Sequence, residues 1–267
     1  MTKRGLRIRI ALSAALAAII TFGCVQIWST ESNYRAEAKL HAGLLAYKPA
    51  APAAAESSAA PATAPAPGGE TPDTTTAPAP VYNKSIADLR ERNGDAVGWL
   101  TVDGTVIDYP FVRADNNDFY LRHDIDKKSA YAGTIFMDYR CKADFSGFNT
   151  ILYGHSMKNG SMFHDLIRFG DKSYFDSHTT GTIYLENRNI SLNIFAFLVI
   201  NPIDLMVFQT PAATPGAQLD NYMSYIRTHA RYVRDVKISA ADHLVTLSTC
   251  DYEFSNARAV LVGKIEG

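Results

Sequence analysis

The chain has 267 residues, with 26 Lys and Arg against 27 Asp and Glu and a formal net charge of −1. That balance lacks the basic excess that binding to nucleic acid requires, and the length accommodates one large domain plus appendages. The hydrophobic fraction of 47% is ordinary for a globular protein but unevenly spread.

Residues 1–9 form a basic tail with Lys3, Arg4, Arg7 and Arg9, and residues 10–28 carry no charge. A helix needs about 20 mostly apolar residues to span a bilayer, whereas a cleavable signal has an apolar core of only about 7–15. The run therefore reads as an uncleaved, single-pass anchor, with the basic tail in the cytoplasm and the rest of the chain outside. Cys24 falls within the run and is read as a membrane-embedded thiol without chemistry. Residues 29–48 are a mixed, charged juxtamembrane segment with Leu40, Leu44 and Leu45 at helical spacing. Residues 49–80 hold eight of the twelve prolines and no aromatic side chain. Such a composition cannot bury enough apolar surface to offset its ordering entropy, so the segment reads as a disordered Ala/Pro/Thr-rich stalk that holds the next domain off the membrane.

From residue 81 to 267 the composition is that of a folded domain, expected to fold alone. Residues 85–92 read as a short helix with Ser85 as N-cap, closed by Asn93 and Gly94. Strand patterns follow at 97–102 and 105–112, joined by Asp103 and Gly104, a hairpin signal. A helical turn is expected at 116–122, and strands at 132–139 and 150–155. Next come a helix at 161–169, strands at 182–186 and 190–200, and the longest helix of the domain at 215–230, with Leu219, Tyr222, Met223 and Ile226 on one face. Strands at 244–250 and 258–265 end the chain. About eight short strands with few helices indicate a mainly β fold, a barrel or sandwich with appended helices.

The last two strands place Cys250 at the end of one and Arg258 at the start of the next. A thiol beside a fixed positive charge has its thiolate favoured, and the thiolate is the nucleophile. A buried cysteine next to a surface arginine fits the same pattern. Cys141 follows a strand in a polar loop, and a Cys141–Cys250 disulfide is conceivable outside the cell. Among seven histidines position alone selects none. His155 follows a strand through Gly154, which sets it at a barrel rim; His243, at the start of the Cys250 strand, belongs at the opposite end.

Four stretches, in order, carry a resemblance. Leu247, Ser248, Thr249 and Cys250 with Arg258 downstream resemble the active-site signature of the sortases, cysteine transpeptidases of the Gram-positive cell surface, in its class B form. Leu152, Tyr153, Gly154 and His155 resemble the family's histidine motif. Gly98, Trp99 and Leu100 through Tyr109 and Pro110, and the run from Gly133 to Arg140, resemble class B members. The resemblance implies an eight-stranded sortase-type barrel with an N-terminal helix and a long helix before the penultimate strand. It implies Cys250 as nucleophile, His155 as acid and base, and Arg258 as holder of the oxyanion; by chemistry alone the backbone N–H after Cys250, that of Asp251, is a candidate second donor. Asn117 and Leu121 are similar to groove-lining positions of class B. Tyr222 and Tyr225 are read as another wall, and Ser248, Thr249 and Asp251 as further substrate contacts. The implied partners are exported proteins with a C-terminal sorting signal, cut after threonine, and an acceptor amine on peptidoglycan precursor or a pilin lysine. No metal-ligand cluster is evident, and no cofactor is inferred. The same residues suit a cysteine peptidase with water as acceptor, and a stalked, non-enzymatic surface-binding module is the further alternative.

Overall fold

The computed structural model describes residues 3–50, 82–208, 219–250 and 257–266, with backbone alone for residues 3–11, Leu205 and Cys250. Helix α1 runs unbroken from Lys3 to Leu44, and a 3-10 turn, Leu45–Tyr47, ends it. Helix α2 (Lys84–Arg92) leads into strands β1 (Ala96–Val102) and β2 (Asp108–Val112). These are joined through Gly104, whose φ of +75° is the left-handed turn that Asp103 and Gly104 announce in the sequence. Strands β3 (Ile135–Met137) and β4 (Asn149–Tyr153) follow. Short helices α3 (Asp165–Arg168) and α4 (Lys172–Ser177) lead to β5 (Thr180–Leu185) and β6 (Asn189–Ile200). Helix α5 (Leu205–Phe208), helix α6 (Leu219–His229) and a two-residue strand β7 (Tyr232–Val233) precede β8 (Leu244–Cys250) and β9 (Arg258–Glu266).

The sheet order β5-β1-β2-β3-β4-β8-β9-β6 closes through the β5–β6 pairing, which makes an eight-stranded barrel; β7 is an extra edge on β6. Closure leaves no long unpaired edge and surrounds a core that includes Leu100, Phe111, Ile135, Leu152, Phe163 and Leu247. A second cluster, with Phe195, Leu198, Tyr222, Ile226 and Val260, lies between α6 and the outer wall. Strand β6 serves both clusters by means of a bulge between Ile194 and Ala196. Ile190, Leu192 and Ile194 belong to the barrel core, but beyond the bulge Phe197 does, while Ala196 and Leu198 turn to α6. One extra residue reverses the inside–outside phase of a period-two strand.

Several elements are shorter than the sequence pattern predicts. The 105–112 run starts as a strand only at Asp108, because the Thr105 hydroxyl donates to the Val102 carbonyl and accepts from the Ile107 N–H, making a local turn. The predicted helix at 161–169 is one turn, since Met162 adopts φ +59°. Helix α4, unforeseen, is capped by Asp171, whose carboxylate accepts from the Tyr174 N–H at 3.0 Å. Helix α2 is preceded by Asn83, not Ser85, and the Asn83 side chain is spent on the Leu185 carbonyl and Asn189. The expected start of the long helix, residues 215–218, lies outside the described residues.

The largest departure is at the N-terminal side. Leu44 is 6% exposed and packs with Ile86, Leu89 and Trp99, joined by Leu40 and Tyr47, while Tyr34 packs against the barrel core. Lys48 pairs with Asp108 at 2.7 Å, and the His41 Nε2–H donates to the Asp108 carbonyl at 2.8 Å. The segment set apart as juxtamembrane is thus, from Tyr34 on, part of the folded unit. The chain meets the barrel at Leu44 and Lys48, before the proline-rich run, and again at Asn83, beyond it. Residues 51–81 themselves lie outside the described residues. A fragment beginning at residue 81 leaves Trp99, Ile86 and Leu89 without their cover. It is expected to unfold at lower denaturant than one beginning at Asn33, by about 2 kcal/mol after the loop-closure cost; equal midpoints in a urea titration would refute the docking.

Candidate active site

Strand β8 lies between β4, to which it is parallel, and β9, to which it is antiparallel. In the β8–β9 ladder Cys250 stands directly opposite Arg258. In the β4–β8 ladder Tyr153 is level with Ser248, and the Gly154 N–H donates to the Ser248 carbonyl at 3.2 Å. Two residues on from that level lie His155, just past the end of β4, and Cys250, the last residue of β8. Adjacent strands are about 4.8 Å apart, so the three residues converge at one end of the barrel although the chain separates them widely. A buried hydrogen bond from the Thr246 hydroxyl to Asn149 Oδ1, 3.0 Å, helps fix the register of β4 on β8.

The chain can turn out of β4 because residue 154 is glycine: Ile135 and Phe163 close over the place where a Cβ would sit. His155 is half-buried, and its Nε2 lies 2.9 Å from the carbonyl oxygen of Leu121. A carbonyl only accepts, so Nε2 carries the proton in this contact and Nδ1 is the nitrogen left to exchange one. The His155 carbonyl accepts from the Phe163 N–H at 2.9 Å, and an antiparallel bridge joins Ser156 to Met162. At the other end of β8 the His243 Nδ1–H donates to the Gly147 carbonyl at 2.8 Å.

Beside Tyr153 sits a polar hub that the sequence did not disclose. Asp138 is fully buried. It accepts from Arg140 Nε at 2.9 Å and Nη2 at 2.8 Å, from Asn117 Nδ2 at 3.0 Å, and from the Tyr153 hydroxyl at 3.1 Å. Burial by itself would raise its carboxyl; the Arg140 and Asn117 hydrogen bonds and the Arg140 charge outweigh that and hold it below the usual carboxylate range. Arg140 also donates to the Phe208 carbonyl at 2.8 Å, tying α5 to this corner. The resemblance flagged Arg140 only as part of a run; a charged residue two positions after an aspartate was the available signal.

The remaining predicted residues are placed unevenly. Asn117 is near the site, but its two ends hold Asp138 and the Tyr139 N–H. Leu121 contributes its backbone carbonyl to His155. Ser248 and Thr249 are buried, and among the described residues neither hydroxyl has a partner. Tyr222 is not a groove wall: at 1% exposure it is core between α6 and Phe148, because it lies on the apolar face of the helix. Tyr225 is half-buried, bonded to Asp204 and stacked on His229. Asp251 lies outside the described residues. Cys141 lies in the polar loop that follows β3 but turns inward: it is a free thiol, 4% exposed in the barrel core, and burial pushes it up to about 11. A thiol so placed is not a nucleophile. Among the described residues no three His, Cys, Asp or Glu side chains are grouped to hold a metal ion.

No family model matches the chain. It is 39% identical over 184 residues to sortase B of Listeria monocytogenes, covering 67% of this chain and 73% of that protein. The chain belongs to the sortase B family. The structure of Clostridium perfringens sortase B superimposes with a TM-score of 0.64 at 31% identity, covering 68% of this chain and 99% of that one. A Streptococcus pyogenes class B sortase involved in pilus biogenesis gives 0.63 at 30% identity, covering 67% and 97%. Membership in the sortase B family makes the chain a cysteine transpeptidase of the cell surface in the broad sense, one that binds proteins bearing sorting signals. The eight-stranded barrel with its N-terminal helix is the family's fold.

Proposed function

We propose that this sortase cuts the sorting signal near the C-terminus of an exported protein after threonine, holds the acyl group as a thioester on Cys250, and passes it to a primary amine. The observation that carries the reading is the register of Cys250 between Arg258 on β9 and the strand that leads to His155. The Cys250 thiolate attacks the scissile carbonyl and the C–S bond forms. The Arg258 guanidinium and the Asp251 N–H donate to the oxyanion. His155 gives a proton to the leaving amine as the C–N bond breaks, and takes one from the incoming amine when that attacks the thioester and releases the thiolate. The acceptor is an amine of peptidoglycan precursor or a pilin lysine. Residues 10–28 anchor the enzyme with a single span. Tyr34 stands six positions beyond the end of that span, about 9 Å along the helix, so the barrel rides close to the membrane where substrates emerge.

The test is the intact mass of the protein after mixing with a panel of sorting-signal peptides. A Cys250-dependent gain equal to the acyl fragment supports the thioester and names the motif; free acid without adduct or amide product favours water as acceptor. Arg258→Lys keeps the charge but loses the planar fork, and is expected to lower kcat by about 10²-fold or more. Near-normal rates in that variant would remove Arg258 from the mechanism.

A further inference from the structure

The loop that carries His155 is gripped from outside the barrel by helix α1. Residues 155–163 form a tight return: the Phe163 N–H donates to the His155 carbonyl, and Ser156 is bridged to Met162. Met162 holds φ +59°, a left-handed conformation costly for a residue with a side chain, so the surroundings must enforce it. Two contacts do so. The Met162 N–H donates to the Tyr109 hydroxyl at 3.0 Å, and the Tyr109 ring lies 4.4 Å from the ring of His41 on α1. The Ser161 hydroxyl donates to Glu37 Oε1, also on α1, at 2.6 Å. Asn159 Oδ1 is a second acceptor 2.8 Å away, but a hydroxyl has one proton, and the shorter, charge-assisted bond is the stronger.

We propose that Glu37 is a positioning residue for His155: through Ser161 it holds the return arm of the 155–163 loop, so that acyl transfer depends on α1 being seated on the barrel. The proposal rests on the reading of His155 as proton carrier. Glu37 is well placed for the role, being one helical turn before His41 and two before Leu44, on the face that meets the barrel. Burial raises its carboxyl, while the Ser161 bond and the nearby His41 and His155 oppose that, which places Glu37 within electrostatic reach of the site. Without Glu37, Ser161 turns to Asn159 inside its own loop, and the tie between loop and helix is gone.

The test uses the full chain in phospholipid nanodiscs, with Glu37→Ala, Glu37→Gln, Ser161→Ala and the Glu37→Ala/Ser161→Ala double variant. Two readouts are taken: hydrogen exchange of the amides at 156–164, and kcat and KM on whichever panel peptide loads Cys250. Glu37→Ala is expected to speed exchange at Met162 and Phe163 about tenfold and to lower kcat by a similar factor with KM little changed. Glu37→Gln, whose amide oxygen still accepts from Ser161, restores both, and the double variant is no worse than either single. Unchanged exchange, a change in KM alone, or additive losses in the double variant would overturn the proposal. Exchange needs no peptide, so an inert peptide panel with the expected exchange pattern counts against the proposed reaction and not against the tie.

Discussion

Cys250→Ala and His155→Ala are each expected to abolish acyl transfer, with a loss of about 10⁴-fold or more in kcat/KM, while Cys141→Ser leaves turnover essentially intact. In the proposed mechanism the nucleophile and the proton carrier act as a unit, so removing either removes nearly all of the chemistry. Cys141 differs from Cys250 by environment alone. It sits inside the barrel, its sulfur 3.4 Å from the Ile151 nitrogen, and burial favours the protonated thiol. Steady-state rates on the loading peptide check this below the melting temperature, because a serine hydroxyl in that core costs about 1–2 kcal/mol of stability. Loss of turnover in folded Cys141→Ser equal to that in Cys250→Ala would make the buried thiol part of the reaction.

Arg140→Met is expected to destabilise the domain by about 3–5 kcal/mol at neutral pH, because it leaves the charge of fully buried Asp138 without its main partner. Its pH dependence is the sharper signature. In the wild type the Asp138 carboxyl is held below the usual carboxylate range, so its contribution is fully present above the unfolded-state value and is lost as pH falls through the lower folded one. With Arg140 gone, burial dominates and raises the carboxyl. The variant then gains stability relative to wild type as pH falls into the carboxylate range, where Asp138 is protonated. Denaturant melts from about pH 8 down to about pH 4, the ordinary carboxylate value, would show converging curves. Parallel curves, or a loss under about 1 kcal/mol at neutral pH, would reduce the pair to a surface contact.

Part of the proposed catalytic end of the barrel was legible because Cys250 and Arg258 are local to one another. Cys250 ends one β-run and Arg258 starts the next, so a hairpin alone sets them opposite each other. Pairing with His155 was not local: it depends on β4 lying parallel to β8, which no alternation pattern reports, and the motif resemblance supplied it. Asp138 and Arg140 were invisible for a different reason. A buried charge looks like any surface charge in a sequence until the groups that satisfy it, here Asn117 and Tyr153, are brought in from other segments. Tyr222 shows the reverse error, an aromatic at helical spacing that packing claims for the core.

By itself the sequence determined the apolar N-terminal run, the mainly β fold and most strand positions, which follow from composition and period, while the three residues proposed for the chemistry came from the motif resemblance. Only the tertiary structure decided the bulge that turns β6 from one core to the other, the Asp138 hub, and the seating of α1. The physical reason is common to all three. Each depends on surfaces from distant segments meeting. Glu37, His41 and Lys48 are only charged and polar residues of a mixed segment in the sequence, and Ser161 and Asp108, which they meet, lie far away along the chain.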